Sequence, residues 1–421
     1  MNTDRTLLVS PYPFGKEFAF TIIDDTDRST LETSKPLYDY LSSIGLRTTK
    51  TVWVKEALTK KDEDDYGDTT ERQEYLRYVQ ELQNLGFEIA LHNVSSDDNK
   101  RDDIISGIET FKAHFGHYPR INVMHDENKE NLYFDAFLKR GYISKPFYGR
   151  FLSAVYKKYM DLKKKRKTYS GPKRFFGELE SSLYFWGDIC KEKIKYIRSY
   201  ISFPDINTLK CNPNIPYYEM EKPYVNYWFD SSNGEDRHHF NELLAKENVR
   251  KLIKERGCSI VYTHFGRGFV KCDSKGNCCL NDNSIRALDN IAAQDGWFVP
   301  VSDILDRLEM LKNLAVHYLN GILLANLNDA PIEGLTICAS PNQRLWTLSQ
   351  DIYQADGKGN IIIDRIMPNQ IVWLMNDAGK YHKNMKLKYW TDRQLTITAI
   401  DIRTLINKIA NKMSINGNKV K

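Results

Sequence analysis

The chain has 421 residues, room for two or three domains, with 41% hydrophobic and 27% charged residues, ordinary values for a globular protein. Its 60 basic and 55 acidic residues leave a net charge of +5, which argues against the concentrated basic surface that nucleic acid requires. No run of 18 apolar residues occurs, so no transmembrane helix is expected.

The start, "MNTDRTLLVSPYPFG", lacks the basic head and long apolar stretch of a signal peptide. "FAFTII" then reads as a buried strand, followed by the helix "LETSKPLYDYLSSIG" and the strand "TKTVWV". "TTERQEYLRYVQELQNLG" carries Tyr75, Val79 and Leu82 at helical spacing, and "FEIAL" is the next strand. The pattern repeats through the helix "RDDIISGIETFKAHFG", the strand "RINVM", the helix "ENKENLYFDAFLKRG" and the short strand "YISKPF". After an interruption come "YVNYWF", the helix "FNELLAKENVRKLIKERG", "SIVYT", the helix "NDNSIRALDNIAAQDG" and "WFVPV". Repeated βα units imply a parallel sheet covered by helices, and about seven strands suit an α/β barrel over residues 1–310.

The interruption, about residues 149–222, reads as a large helical insert lying over the sheet as a lid. It holds the basic run Lys163 to Lys167, most simply a solvated face, and the aromatics Tyr184, Phe185 and Trp186. Seven cysteines, an odd number with no export signal, point to a reducing compartment and a cytoplasmic protein. Cys272, Cys278 and Cys279 in "KCDSKGNCC" form no CxxC pair, and "SKGN" reads as a hairpin turn. From residue 325 to 421 the pattern changes to short strands separated by "DGKG", "MPNQ" and "NDAG" turns, a small antiparallel β domain closed by the amphipathic helix "ITAIDIRTLINKIANKM".

Ligand-capable side chains fall at the C-terminal ends of the expected strands. Asp24 and Asp25 follow "FTII", His92 follows "FEIAL", His125 follows "RINVM", and His264 follows "SIVYT". Asp230 and the pair His238 and His239 follow "YVNYWF". Strand C-termini share one face of a βα barrel, so these imidazoles and carboxylates are expected to converge on a divalent metal. Asp27 reads as a cap or turn residue for the following helix. Asp230, Arg237 and His239 are candidates for contact with a sugar.

With these residues in view, the chain resembles the polysaccharide deacetylase family, the NodB-homology group of carbohydrate esterases. "TIIDDTD" is similar to that family's first motif, "LHNVSS" to its second and "YTHF" to its late histidine motif. The resemblance implies a deacetylase-like barrel of the (β/α)7 type acting on a glycan, as a hydrolase of carbon–nitrogen bonds that removes acetyl groups from an N- or O-acetylated sugar or cell-surface polysaccharide. It implies Asp24 as the general base, Asp25 and His92 as metal ligands, and His264 as the general acid or the group that stabilises the oxyanion. The family's second histidine falls at Ser96, a poor zinc ligand. His125 on the next strand is expected to supply the missing imidazole, with zinc as the ion, or manganese or magnesium in an oxygen-rich shell. The competing readings are a glycan-binding relative without turnover, and a glycoside hydrolase using Asp24 with a second carboxylate such as Glu235 or Asp230.

Overall fold

The computed structural model describes residues 7–59, 66–126, 128–134, 175–273 and 278–376. They fall into two compact units, one of Ala19–Asp303 and one joining Met1–Phe18 to Ile304–Lys421. The basic run Lys163 to Lys167, the strands "YISKPF" and "KLKYW", and the closing helix all lie outside the described residues. No helix among the described residues is long and apolar enough to cross a membrane.

The second unit begins with β1 (Leu8–Ser10), which pairs antiparallel with a strand more than 300 residues away and therefore belongs with the C-terminal sheet rather than the barrel. The barrel itself is a closed ring of seven parallel strands: β2 (Phe18–Asp24), β3 (Thr49–Val52), β4 (Glu88–Leu91), β5 (Ile121–Val123), β6 (Tyr196–Phe203), β7 (Tyr227–Asn233) and β8 (Cys258–Thr263). Closure comes from β2 pairing with β8 over Ala19↔Cys258 to Asp24↔Thr263. Helices α1 (Leu31–Ser43), α2 (Gln73–Asn84) and α3 (Arg101–Phe115) follow the first strands. All seven residues of β2 are buried, as a strand covered on both faces requires.

The segment expected as an insert contains a barrel strand. β6 lies between β5 and β7 in the ring, pairing Ile121↔Tyr196 and Tyr196↔Tyr227. After β8 the hairpin of β9 (Val270–Cys272) and β10 (Cys278–Leu280) is bridged by a Cys272–Cys278 disulfide, and β11 (Gly296–Trp297) adds a short edge strand beside β2.

In the other unit, β12 (Leu314–Tyr318), β13 (Gly321–Asn326), β14 (Ile332–Cys338), β15 (Arg344–Trp346), β16 (Ile352–Gln354), β17 (Asn360–Ile366) and β18 (Ile371–Met375) build two antiparallel sheets. One runs β1-β14-β17 and the other β12-β13-β18-β15-β16. Alternate residues Ile322, Leu324, Leu335, Ile337, Ile361, Ile363 and Leu374 share one core between the sheets. Their neighbours Leu323, Ala325, Trp373 and Met375 form a cluster on the opposite face, the period of two expected for strands.

That same period decides what happens at the end of β2. Asp24 leaves on the helix-facing side, where its carboxylate meets Lys50 Nζ at 2.9 Å, the Tyr38 hydroxyl at 3.0 Å and the Phe265 N–H at 2.8 Å. Both charged side chains are fully buried. Burial works against both charges: it raises the Asp24 pKa despite Lys50, while Asp24, with Tyr75 and Asp25, outweighs it at Lys50 and raises the Lys50 pKa. Removing one partner leaves the other charge buried alone, so Lys50→Met is expected to cost about 3–5 kcal/mol of folding stability. Urea denaturation measures it; a loss below about 1 kcal/mol, the range of an exposed pair, would show that Asp24 is not held as a buried ion.

Candidate metal centre

Asp25, the next residue, leaves β2 on the other face, into the barrel. Its two carboxylate oxygens accept a fork of hydrogen bonds from Arg198, Nη1 to Oδ1 at 2.9 Å and Nη2 to Oδ2 at 2.7 Å. β2 and β6 are not neighbours in the ring, so this pair spans the barrel interior. The Tyr262 ring lies 4.4 Å from the Arg198 guanidinium and supports its other side.

Asp27, two residues further on, lies at the centre of the histidines. Its Oδ2 is 3.1 Å from His92 Nε2, its Oδ1 is 3.1 Å from His125 Nε2, and His264 Nε2 lies 3.4 Å from Oδ2. These come from the C-terminal ends of β4, β5 and β8. The helix cap expected of Asp27 is supplied instead by Thr30, whose side chain accepts from the Thr33 N–H. All four side chains are nearly buried, and Trp53 stacks on His92 at 6.0 Å and meets His125 edge-on at 5.6 Å.

The far nitrogens of the three rings fix their tautomers. His92 Nδ1 donates to the Val123 carbonyl at 3.2 Å, and His264 Nδ1 donates to the Glu235 carbonyl at 2.8 Å. His125 Nδ1 donates to Asn128 Oδ1 at 3.1 Å, an oxygen because the Asn128 amide donates to the Ser95 and Asp97 carbonyls. Each neutral ring therefore aims an Nε2 lone pair at a carboxylate. Acceptors facing one another at about 3 Å repel unless a positive charge lies among them. Protons on all three rings, with Arg198, would leave four buried cations against two carboxylates; a single divalent ion on neutral rings matches the donors with less excess charge. Imidazoles whose second nitrogen is pinned by a carbonyl or amide oxygen are the usual surroundings of a bound metal.

The donor atoms of Asp27, His92 and His125 lie within 4.8 Å of one another, as do those of Asp25, Asp27 and His264. With no ion between them, rings protonated at Nε2 would donate to Asp27: burial pushes its carboxyl up, but His92, His125 and His264 together outweigh it and hold it well below the usual range. Two nitrogens and a carboxylate oxygen fit zinc or a similar transition ion.

The structure thus joins Asp25, His92, His125 and His264 in one site, adds Asp27 and Arg198, and leaves Asp24 outside it. Ser96 is buried. Asp230 also lies elsewhere: it accepts from Ser199, from Asn212 Nδ2 at 2.7 Å and from the Tyr217 hydroxyl at 2.9 Å. Burial raises the Asp230 pKa. His238 and His239 are exposed on the helix Arg237–Leu243, capped by Asp236, and Arg237 reaches the Gly268 carbonyl and the His238 ring. None of the three residues expected to touch a sugar reaches the Asp27 cluster. Behind the site, Glu130 is a buried carboxylate whose pKa burial pushes up to about 7.

No protein-family model and no curated protein matches the chain. Among solved structures it is similar to the allantoinase PuuE, at 10% identity and a TM-score of 0.37, over 73% of this chain and 97% of that one. A polysaccharide deacetylase from Mycobacterium smegmatis aligns at 9% identity and 0.39, over 72% and 94%. A family 4 acetyl xylan esterase from Clostridium thermocellum, in complex with a cobalt ion, aligns at 12% identity and 0.29, over 69% and 90%. Likeness this distant assigns neither residue roles nor a substrate to this chain.

Elemental analysis separates the two neighbouring aspartates. Asp27→Asn, His92→Ala and His125→Ala are each expected to abolish stoichiometric zinc in protein reconstituted with Zn2+, whereas Asp24→Asn keeps it. Zinc retained by all three of the first set, or lost only with Asp24, would contradict the assignment.

Proposed function

We propose that the chain is a metal-dependent hydrolase that removes acetyl groups from an N- or O-acetylated sugar, as in a cell-surface polysaccharide. The observation that carries this reading is the convergence of three tautomer-fixed imidazoles on the Asp27 carboxylate, with a second carboxylate, Asp25, held beside them by Arg198. Asp27, His92 and His125 would hold the ion. When bound, such an ion polarises a carbonyl and lowers the pKa of water.

The remaining groups then divide the proton transfers. Asp25 takes a proton from the attacking water. The Arg198 fork fixes its orientation, and its Oδ2 lies 3.9 Å from His264 Nε2. His264 takes that proton from Asp25 at Nε2 and delivers it to the leaving nitrogen or oxygen, because its Nδ1–H is committed to the Glu235 carbonyl. These roles stand further along the chain than the motif resemblance implies: Asp25 in place of Asp24, one residue on, and Asp27 in place of Asp25, two residues on. The Cys272–Cys278 disulfide favours an oxidising compartment over the cytoplasm expected from the cysteine count.

Acetate release from N-acetylglucosamine oligomers and from acetylated xylan, measured on zinc-loaded protein, tests the proposal. Asp25→Asn is expected to lower kcat by about 10²–10⁴-fold with zinc retained. Full turnover in that variant, or a zinc-loaded wild type that frees acetate from neither substrate but binds the oligomer, would favour a glycan-binding protein instead.

A further inference from the structure

The loops that carry His92 and His125 are tied together by one buried carboxylate. Glu130 is 1% exposed. Its Oε1 accepts from Asn93 Nδ2 at 3.1 Å, Asn99 Nδ2 at 2.8 Å and Asn128 Nδ2 at 3.0 Å, and its Oε2 accepts from the Asn99 backbone N–H at 3.1 Å. Its own carbonyl accepts from Trp186 Nε1 at 2.6 Å. A fully buried carboxylate loses its hydration, and here amide N–H groups replace it.

Those amides belong to the two histidine loops. Asn93 directly follows His92 and holds a left-handed backbone, φ 51°, which turns its amide back toward Glu130. Its Nδ2 also reaches Asn131 Oδ1 at 2.9 Å, and Asn131 Nδ2 donates to the His125 carbonyl at 2.6 Å. Asn128 is the acceptor of the His125 Nδ1–H. Together with the Ser95 and Asp97 carbonyls, Glu130 draws the Asn128 amide NH2 to its side, which leaves the Asn128 oxygen to His125. A continuous path therefore runs Glu130, Asn128, His125, Asp27.

We propose that Glu130 is a positioning residue of the metal centre, acting through Asn128 and Asn93 to join the two histidine loops and to keep His125 in the tautomer whose Nε2 faces Asp27. The inference rests on the reading of Asp27, His92 and His125 as ligands. A carboxylate is needed for two reasons. Three N–H groups converge on Oε1, and a fourth meets Oε2. Glutamine can offer one oxygen to the three but must turn its own NH2 against the Asn99 N–H.

The test uses the whole chain, with Glu130→Gln, Asn128→Ala and the double variant beside the wild type. In metal-free protein, imidazole ¹⁵N shifts report the His125 ring: the wild type is expected to keep a proton on Nδ1 throughout, and Glu130→Gln to show a mixture in which Nδ1 is partly unprotonated, in a protein still folded by circular dichroism. Titration with Co2+ should show an affinity about 10–100-fold weaker in Glu130→Gln and in Asn128→Ala. The double variant should be no weaker than Asn128→Ala alone, because the two residues act along one path. Should Glu130→Gln not fold, Glu130→Asp makes the same test with a carboxylate withdrawn by one methylene. An unchanged tautomer with unchanged Co2+ affinity, or strictly additive losses in the double variant, would overturn the proposal. A wild type that binds no Co2+ overturns the metal reading instead, and the tautomer comparison then decides the role of Glu130 by itself.

Discussion

Successive side chains leave a β-strand on opposite faces, and the site depends on that constraint at one point. At the end of β2 it separates two adjacent carboxylates. Asp24 turns outward and is neutralised by Lys50. Asp25 turns inward to Arg198. Had both faced the barrel axis, two buried like charges would have shared one small volume, and one would have been driven to hold a proton. Instead the outer charge is spent on holding the strand to its helices, and the inner one remains beside the histidines. Asp27, past the strand end, is free of the alternation and bends back to the rings.

The barrel then brings residues from distant parts of the chain to one place. His92, His125 and His264 sit at the ends of β4, β5 and β8, and each ring is oriented by an oxygen from a neighbouring loop. The chemistry requires that orientation as much as the rings themselves. A neutral imidazole presents a lone pair from only one nitrogen, and the oxygen that holds the other nitrogen decides which. The carbonyls of Val123 and Glu235 and the side chain of Asn128 are therefore part of the centre although none reaches Asp27.

Much of this was legible in the sequence. The βα alternation announced a seven-stranded barrel, and the period-two pattern after residue 325 announced the antiparallel sheets. The histidines were visible because each follows an apolar run. Three features were not. The strand β6 reads "YIRSYISF", and its polar residues break the apolar run expected of a buried strand, precisely because Arg198 is used inside the barrel. Asp27 lies just before a helix, where a short polar side chain is normally a cap, and local pattern gives no sign that Thr30 takes that duty. The pairing of β1 with β14 joins the two ends of the described chain, a contact with no local signature. A motif of two adjacent aspartates also invites the assignment of both to one site; the strand period puts them on opposite faces, and applying that period at the sequence level would have placed only one of the two inside the barrel.

The central claim is that one divalent ion sits on Asp27, His92 and His125. Anomalous diffraction at the zinc edge, from crystals grown with Zn2+, tests it most directly. The account predicts a single strong peak about 2.0–2.2 Å from a carboxylate oxygen of Asp27 and from Nε2 of both His92 and His125, with Asp24 remaining on Lys50. A barrel without that peak, its His92 and His125 rings hydrogen-bonded directly to Asp27, would contradict it.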